Sequence, residues 1–75
     1  MPRLPVTTPR KLLKAILKIG FYIHHQSGSH VNLRHSTKKH LHIVIPLHSG
    51  DLAPKTLKSI LIQSEIKIEE LTDFL

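Results

Sequence analysis

The sequence predicts an α+β fold of the order α-β-β-β-α: a three-stranded antiparallel sheet with two helices packed on one of its faces. Three observations lead to it. Apolar residues recur at helical spacing near both ends of the chain, they alternate with polar ones through the middle, and turn-forming residues punctuate the segments. The 75 residues are read as one domain, 1–75. A chain of this size buries only about 60% of the surface its unfolded form exposes, so it calls for a histidine-bound metal, a tightly bound partner, or a minimal but well-packed core between one sheet face and two helices.

Residues 1–7 read as an extended arm, because Pro2 and Pro5 oppose helix. Thr7 or Thr8 can cap the first helix. Pro9 suits the first helical position, where its missing N–H costs nothing. Leu12, Leu13, Ile16 and Leu17 form its apolar stripe, and Arg10, Lys11, Lys14 and Lys18 lie mostly off it. Gly20 ends it as a left-handed residue.

Three strands follow. Phe21-Tyr22-Ile23-His24-His25 turns Phe21 and Ile23 inward, Val31-Asn32-Leu33 turns Val31 and Leu33 inward, and His40-Leu41-His42-Ile43-Val44-Ile45 turns Leu41, Ile43 and Ile45 inward. Alternation of this kind marks an antiparallel sheet covered on one side. Pro46 ends the third strand. Pro54 then opens a second helix, with Leu57, Ile60 and Leu61 at i, i+3, i+4, Lys55 and Lys58 on its outer side, and an end near Ser64. Ile66, Ile68, Leu71, Phe74 and Leu75 pattern a further helical turn or two.

The same alternation assigns Tyr22, His24, Gln26, His30, Asn32, Arg34, His40, His42 and Val44 to the open sheet face. A two-residue turn at Ser27-Gly28 would set Ile23 opposite Asn32 and mix the faces. A three-residue turn, Gln26-Ser27-Gly28, or a bulge restores agreement; with the former, His30 lies opposite His24.

Charge bears on partners. The formal net charge is +6, every acidic residue lies after position 50, and eight Lys/Arg precede it. A basic front is the footprint of a phosphate-bearing partner. The chain has no cysteine, which rules out disulfides and thiolate metal sites and fits a reducing compartment. No run reaches the roughly 18 apolar residues of a membrane span, and no apolar region follows Arg3 as in a signal peptide. The expectation is a cytoplasmic protein with no membrane partner.

Imidazole titrates near pH 6.5 in its ordinary state, so a histidine on an open face can give or take a proton near neutrality. RNA cleavage needs a base for the ribose 2′-hydroxyl, an acid for the leaving oxygen, and cations for the phosphorane-like transition state. His30, just past a tight turn, can supply one proton transfer; His24 or His42 can supply the other, and Arg34 and the lysines can hold phosphate. A competing zinc reading takes His40, His42, His24 and His30 as ligands. Against it, no cysteine or carboxylate accompanies them.

The residues resemble a family. Pro2-Arg3-Leu4-Pro5, Lys11-Leu12-Leu13-Lys14-Ala15-Ile16 through Lys18-Ile19-Gly20-Phe21, Gly28-Ser29-His30, Pro46-Leu47-His48 and Thr56-Leu57-Lys58-Ser59-Ile60-Leu61 follow in order the pattern of the HicA toxins, the YcfA-like messenger-RNA interferases of bacterial type II toxin–antitoxin modules. Two positions depart from it: His25, where a basic residue is common, and Lys55, where a glycine often precedes Thr-Leu. The resemblance implies a double-stranded-RNA-binding-domain-like fold and a metal- and cofactor-independent endoribonuclease that cuts messenger RNA without the ribosome. His30 is then catalytic, with His24, His42, Arg34, Ser29 and His48 as supporting candidates. Arg10, Lys14, Lys38, Lys39, Lys55 and Lys58 are candidates for RNA phosphates, and Tyr22 for stacking on a base. The implied partners are RNA and a HicB-like antitoxin, with DNA reached only through the antitoxin. Fold alone does not decide chemistry. A small RNA-binding module without cleavage is the alternative, since domains of this architecture mostly bind RNA by shape; a protein-interaction module is a third class.

Overall fold

A computed structural model, described here over residues 3–75, has the order α1 (Pro9–Ile19), β1 (Phe21–Ser27), β2 (His30–His35), β3 (His42–Pro46), α2 (Pro54–Ser64) and α3 (Ile68–Thr72). The strands form one antiparallel sheet in the order β1-β2-β3. The predicted α+β architecture is the one found, and Met1 and Pro2 of the expected arm lie outside the described residues.

Local chemistry explains the element ends. Thr8 caps α1: its hydroxyl accepts from the Lys11 amide at 3.3 Å, and Pro9 occupies the first turn. Gly20 closes α1 at φ 122°, its amide donating to the Ile16 carbonyl. Pro54 opens α2 without a side-chain cap, and Glu65 ends it in the left-handed conformation at φ 60°. The apolar tail expected after Ser64 becomes α3, with Leu71 fully buried.

The core lies between the helices and one sheet face. Leu12, Ala15 and Ile16 of α1 and Leu57, Ile60 and Leu61 of α2 meet Phe21, Val31, Leu33, Ile43 and Ile45 of the sheet. Burying a Leu or Ile side chain contributes about 1.5–3 kcal/mol, so these few residues carry most of the fold's stability. The backbone also ties the layers: the Leu52 amide donates to the Thr7 carbonyl at 2.9 Å, joining the loop after β3 to the chain just before α1.

Four expectations need correction. Leu17 is 38% exposed, while Ala15 takes its place in the buried stripe. The stripe is therefore Pro9, Leu12, Ala15 and Ile16, spaced by three and four as helical geometry requires. Ile23 has the inward parity but is 45% exposed, because of β1 only the first residue, Phe21, is buried under the helices. His40 precedes β3, and its Nε2 lies 3.1 Å from Glu65 Oε2 at the end of α2, while Leu41 beside it is buried though also outside the strand.

The fourth correction is the β1–β2 register. The turn has two residues, Gly28 and Ser29, and pairs Ser27 with His30, Gln26 with Val31 and His25 with Asn32. Continued unbroken, that register would set Ile23 opposite Arg34. A bulge at His24 shifts it by one, so Ile23 faces Leu33 and Phe21 faces His35. Apolar pairing at one end and turn geometry at the other demand different registers, and one extra residue reconciles them. His30 therefore stands opposite Ser27, not His24.

Candidate functional site

The open sheet face is built from the pairs Ser27–His30–Pro46, His25–Asn32–Val44 and Tyr22–Arg34–His42, read across β1, β2 and β3. Directly paired residues share a face. The alternation of side chains alone assigns His24 and Gln26 there; the bulge instead brings His25 and Ser27 onto it.

His30 is the first residue of β2, exposed, and flanked by Ser27 on one side and Pro46 on the other. Its position depends on the turn. Gly28, at φ 57°, takes the first central position, which favours glycine in such hairpins. The Gln26 side-chain amide donates to the Gly28 carbonyl at 3.0 Å, and the Ser29 carbonyl accepts from the Leu47 amide at 2.6 Å. The turn is thus braced from both neighbouring strands. Among the described residues the His30 ring has no hydrogen-bond partner, which leaves both its nitrogens open to a ligand.

His48 comes two residues after Pro46. Its Nδ1 donates to the Ser49 carbonyl at 2.9 Å, so Nε2 is the nitrogen left open. Arg10, Leu47, His48 and Ser49 line an open cavity of about 230 Å³. Lys14 follows Arg10 by one turn on the exposed side of α1.

A second group lies at the other end of the sheet. Arg34 is four residues beyond His30 along β2, about 13 Å at strand rise. Its cross-strand neighbours are Tyr22 and His42, both exposed. His42 Nε2 donates to Asn32 Oδ1 at 3.2 Å. Lys38 and Lys39 belong to the loop between β2 and β3, where Lys39 Nζ donates to the Ser36 carbonyl at 3.0 Å. Lys55 and Lys58 are exposed on the first turns of α2.

The remaining histidines have identifiable partners. His35 Nδ1 accepts from the amides of Thr37 at 3.1 Å and Lys38 at 3.0 Å, and its ring stands edge-on to Phe21 at 5.0 Å; it organises the β2–β3 loop. His24 and His25 meet through their Nδ1 atoms at 2.8 Å. Consecutive strand residues normally point to opposite faces, so this contact is a product of the bulge. The four histidines of the zinc reading do not come together: His40 is at Glu65, His42 at Asn32 and His24 at His25. Among the described residues, no three His, Asp or Glu side chains are arranged to hold a metal.

The backbone therefore places Ser29 and His30 at the end of the sheet where the loop carrying His48 leaves β3 and where Arg10 and His48 line one cavity, while Arg34, His42, Tyr22, Lys38 and Lys39 belong to the other end. The Arg10–His48 juxtaposition has no local signature, since 37 positions intervene in the sequence. Its only trace is that a basic residue opens α1 and a histidine follows the strand-ending proline.

A family model described as HicA toxin of bacterial toxin-antitoxin matches residues 9–66. No curated protein matches the chain. Among the described residues no helix is long and apolar enough to cross a membrane.

Proposed function

The chain belongs to the HicA toxin family, a toxin of bacterial toxin–antitoxin systems, and from that premise we propose that it is a metal-independent endoribonuclease acting on messenger RNA without the ribosome. The observation that carries the reading is the placement of His30: exposed, free of hydrogen-bond partners among the described residues, and held at the head of the central strand by a braced turn.

The chemistry is an internal transesterification. The ribose 2′-oxygen attacks the adjacent phosphorus as its proton leaves to a base; the bond from phosphorus to the 5′-oxygen breaks as that oxygen gains a proton. The products are a 2′,3′-cyclic phosphate and a 5′-hydroxyl. His30 performs one of these proton transfers. Arg10, Lys14, Lys38, Lys39, Lys55 and Lys58 attract the RNA backbone, and Tyr22 beside Arg34 offers a ring for stacking. A HicB-like antitoxin is the partner that restrains the activity.

Purified protein incubated with RNA in EDTA tests the reading. Cleavage that persists in EDTA, leaves cyclic phosphate ends and disappears in His30→Ala is the expected result. Full cleavage by His30→Ala removes the site assignment, and loss of activity in EDTA removes the metal-independent mechanism. RNA bound with steep salt dependence but never cut would favour a non-catalytic RNA-binding module, for which the exposed Lys55 and Lys58 at the start of α2 speak.

A further inference from the structure

The geometry points to a second phosphate site beside His30: the pocket of Arg10, Leu47, His48 and Ser49 receives a backbone phosphate of the RNA strand next to the one that is cut. This inference rests on the ribonuclease reading and adds to it where the flanking strand is held.

Three features of the backbone place the pocket there. β3 ends at Pro46, the cross-strand partner of His30. The next residue, Leu47, is bound through its amide to the Ser29 carbonyl at 2.6 Å, so the loop leaving β3 is fastened to the turn that carries His30. Further along, the Leu52 amide binds the Thr7 carbonyl at 2.9 Å, which draws the same loop against the start of α1 and brings Arg10 to it. The cavity that results, of about 230 Å³, is open to solvent-borne ligands because Arg10, His48 and Ser49 are all exposed, while Leu47 packs its side chain against the core and forms the floor.

The lining selects for anions. Arg10 contributes a guanidinium with five N–H donors, Ser49 a hydroxyl, and His48 an imidazole, and no carboxylate lines the cavity. The bond from His48 Nδ1 to the Ser49 carbonyl fixes the ring's orientation and leaves Nε2 as its ligand-facing nitrogen. Once protonated, Nε2–H donates to a phosphate oxygen that Arg10 already holds. Charge-assisted bonds of this kind are the strong ones, and a planar guanidinium matches two phosphate oxygens at once. A cationic ligand would meet the fixed charge of Arg10 with no carboxylate to offset it.

The test uses the full chain carrying His30→Ala, so that RNA stays intact, and follows the ring signals of His48 and the Nε–H of Arg10 by NMR. Inorganic phosphate is added first, then a short single-stranded RNA in its place. Both are expected to move the two signals saturably. In the same background, Arg10→Gln is expected to weaken RNA binding about 10- to 100-fold and to abolish the phosphate response, and His48→Asn to weaken both. Phosphate that shifts other residues and leaves His48 and Arg10 unmoved overturns the site, as does unchanged RNA affinity in Arg10→Gln. A response to phosphate but not to RNA identifies a site for free phosphate and overturns the strand assignment. Cleavage by the unmutated chain is assayed in parallel. Its absence refutes the ribonuclease reading whatever the NMR shows, whereas cleavage with a silent pocket refutes the phosphate site alone.

Discussion

The backbone amide of Leu47 lies 2.6 Å from the carbonyl oxygen of Ser29, so the residue after β3 holds the turn before β2. Leu47→Pro removes the donor. Pro46 already has strand backbone, which a following proline requires, so the substitution tests the bond rather than the fold. Leu47→Ala keeps the amide and removes most of the side chain, and so serves as the reference. A net hydrogen bond contributes about 1 kcal/mol, which in a domain of this size is about 4–8 °C in melting temperature. Leu47→Pro is expected to melt lower than Leu47→Ala by that interval and to cleave RNA at least about tenfold more slowly, since small misplacements of reacting groups are costly. Identical melting and cleavage in the two variants would show that the bond does not position the turn.

The 2.8 Å contact between the Nδ1 atoms of His24 and His25 requires one to donate and the other to accept. The two rings must therefore be different tautomers when neutral. If both are protonated, two N–H groups point at each other and the contact opens. Nitrogen-15 spectra of the imidazoles at neutral pH should show one protonated Nδ1 and one bare Nδ1 in this pair, and the distinction should vanish on acidification. Two rings with the same tautomer at neutral pH would contradict the contact.

Gly20 and Gly28 both have positive φ, yet their substitutions are expected to differ. A Cβ at Gly20, φ 122°, would lie 3.0 Å from His35 Nε2. That ring is pinned by Phe21 and by the Thr37 and Lys38 amides, so it cannot yield easily. Gly20→Ala should cost about 1–3 kcal/mol. Gly28, at φ 57°, has nothing within 4 Å of an added Cβ. Asparagine tolerates that conformation, so Gly28→Asn should cost less than about 1 kcal/mol. Thermal or urea denaturation measures both, and equal losses would refute the distinction.

Much of the fold is legible in the linear pattern because it depends on near neighbours. Thr8 and Pro9 start α1 through bonds within its first turn, and Gly20 ends it by a conformation that few other residues adopt. Val31, Leu33, Ile43 and Ile45 alternate with polar residues, and all four are buried. The part of the candidate site that a short segment can specify is legible too: Gly28-Ser29-His30 is a turn followed by an exposed strand residue. Less is legible in β1, where alternation predicts a buried Ile23 and an outward His24. The burial of β1 depends on how far the helices reach over it, and they cover Phe21 alone.

The sequence by itself determined the order of elements, the start and end of α1, the proline that opens α2, the inward residues of β2 and β3, and the presence of a histidine at the turn. Each follows from interactions spanning a few residues. Only the tertiary structure decided the bulge at His24, the pairing of His30 with Ser27 and Pro46, and the meeting of Arg10 with His48. Those depend on which residues lie opposite one another once strands pair and helices pack. The energy that selects among registers is shared by side chains far apart in the chain, so no local spacing records the choice.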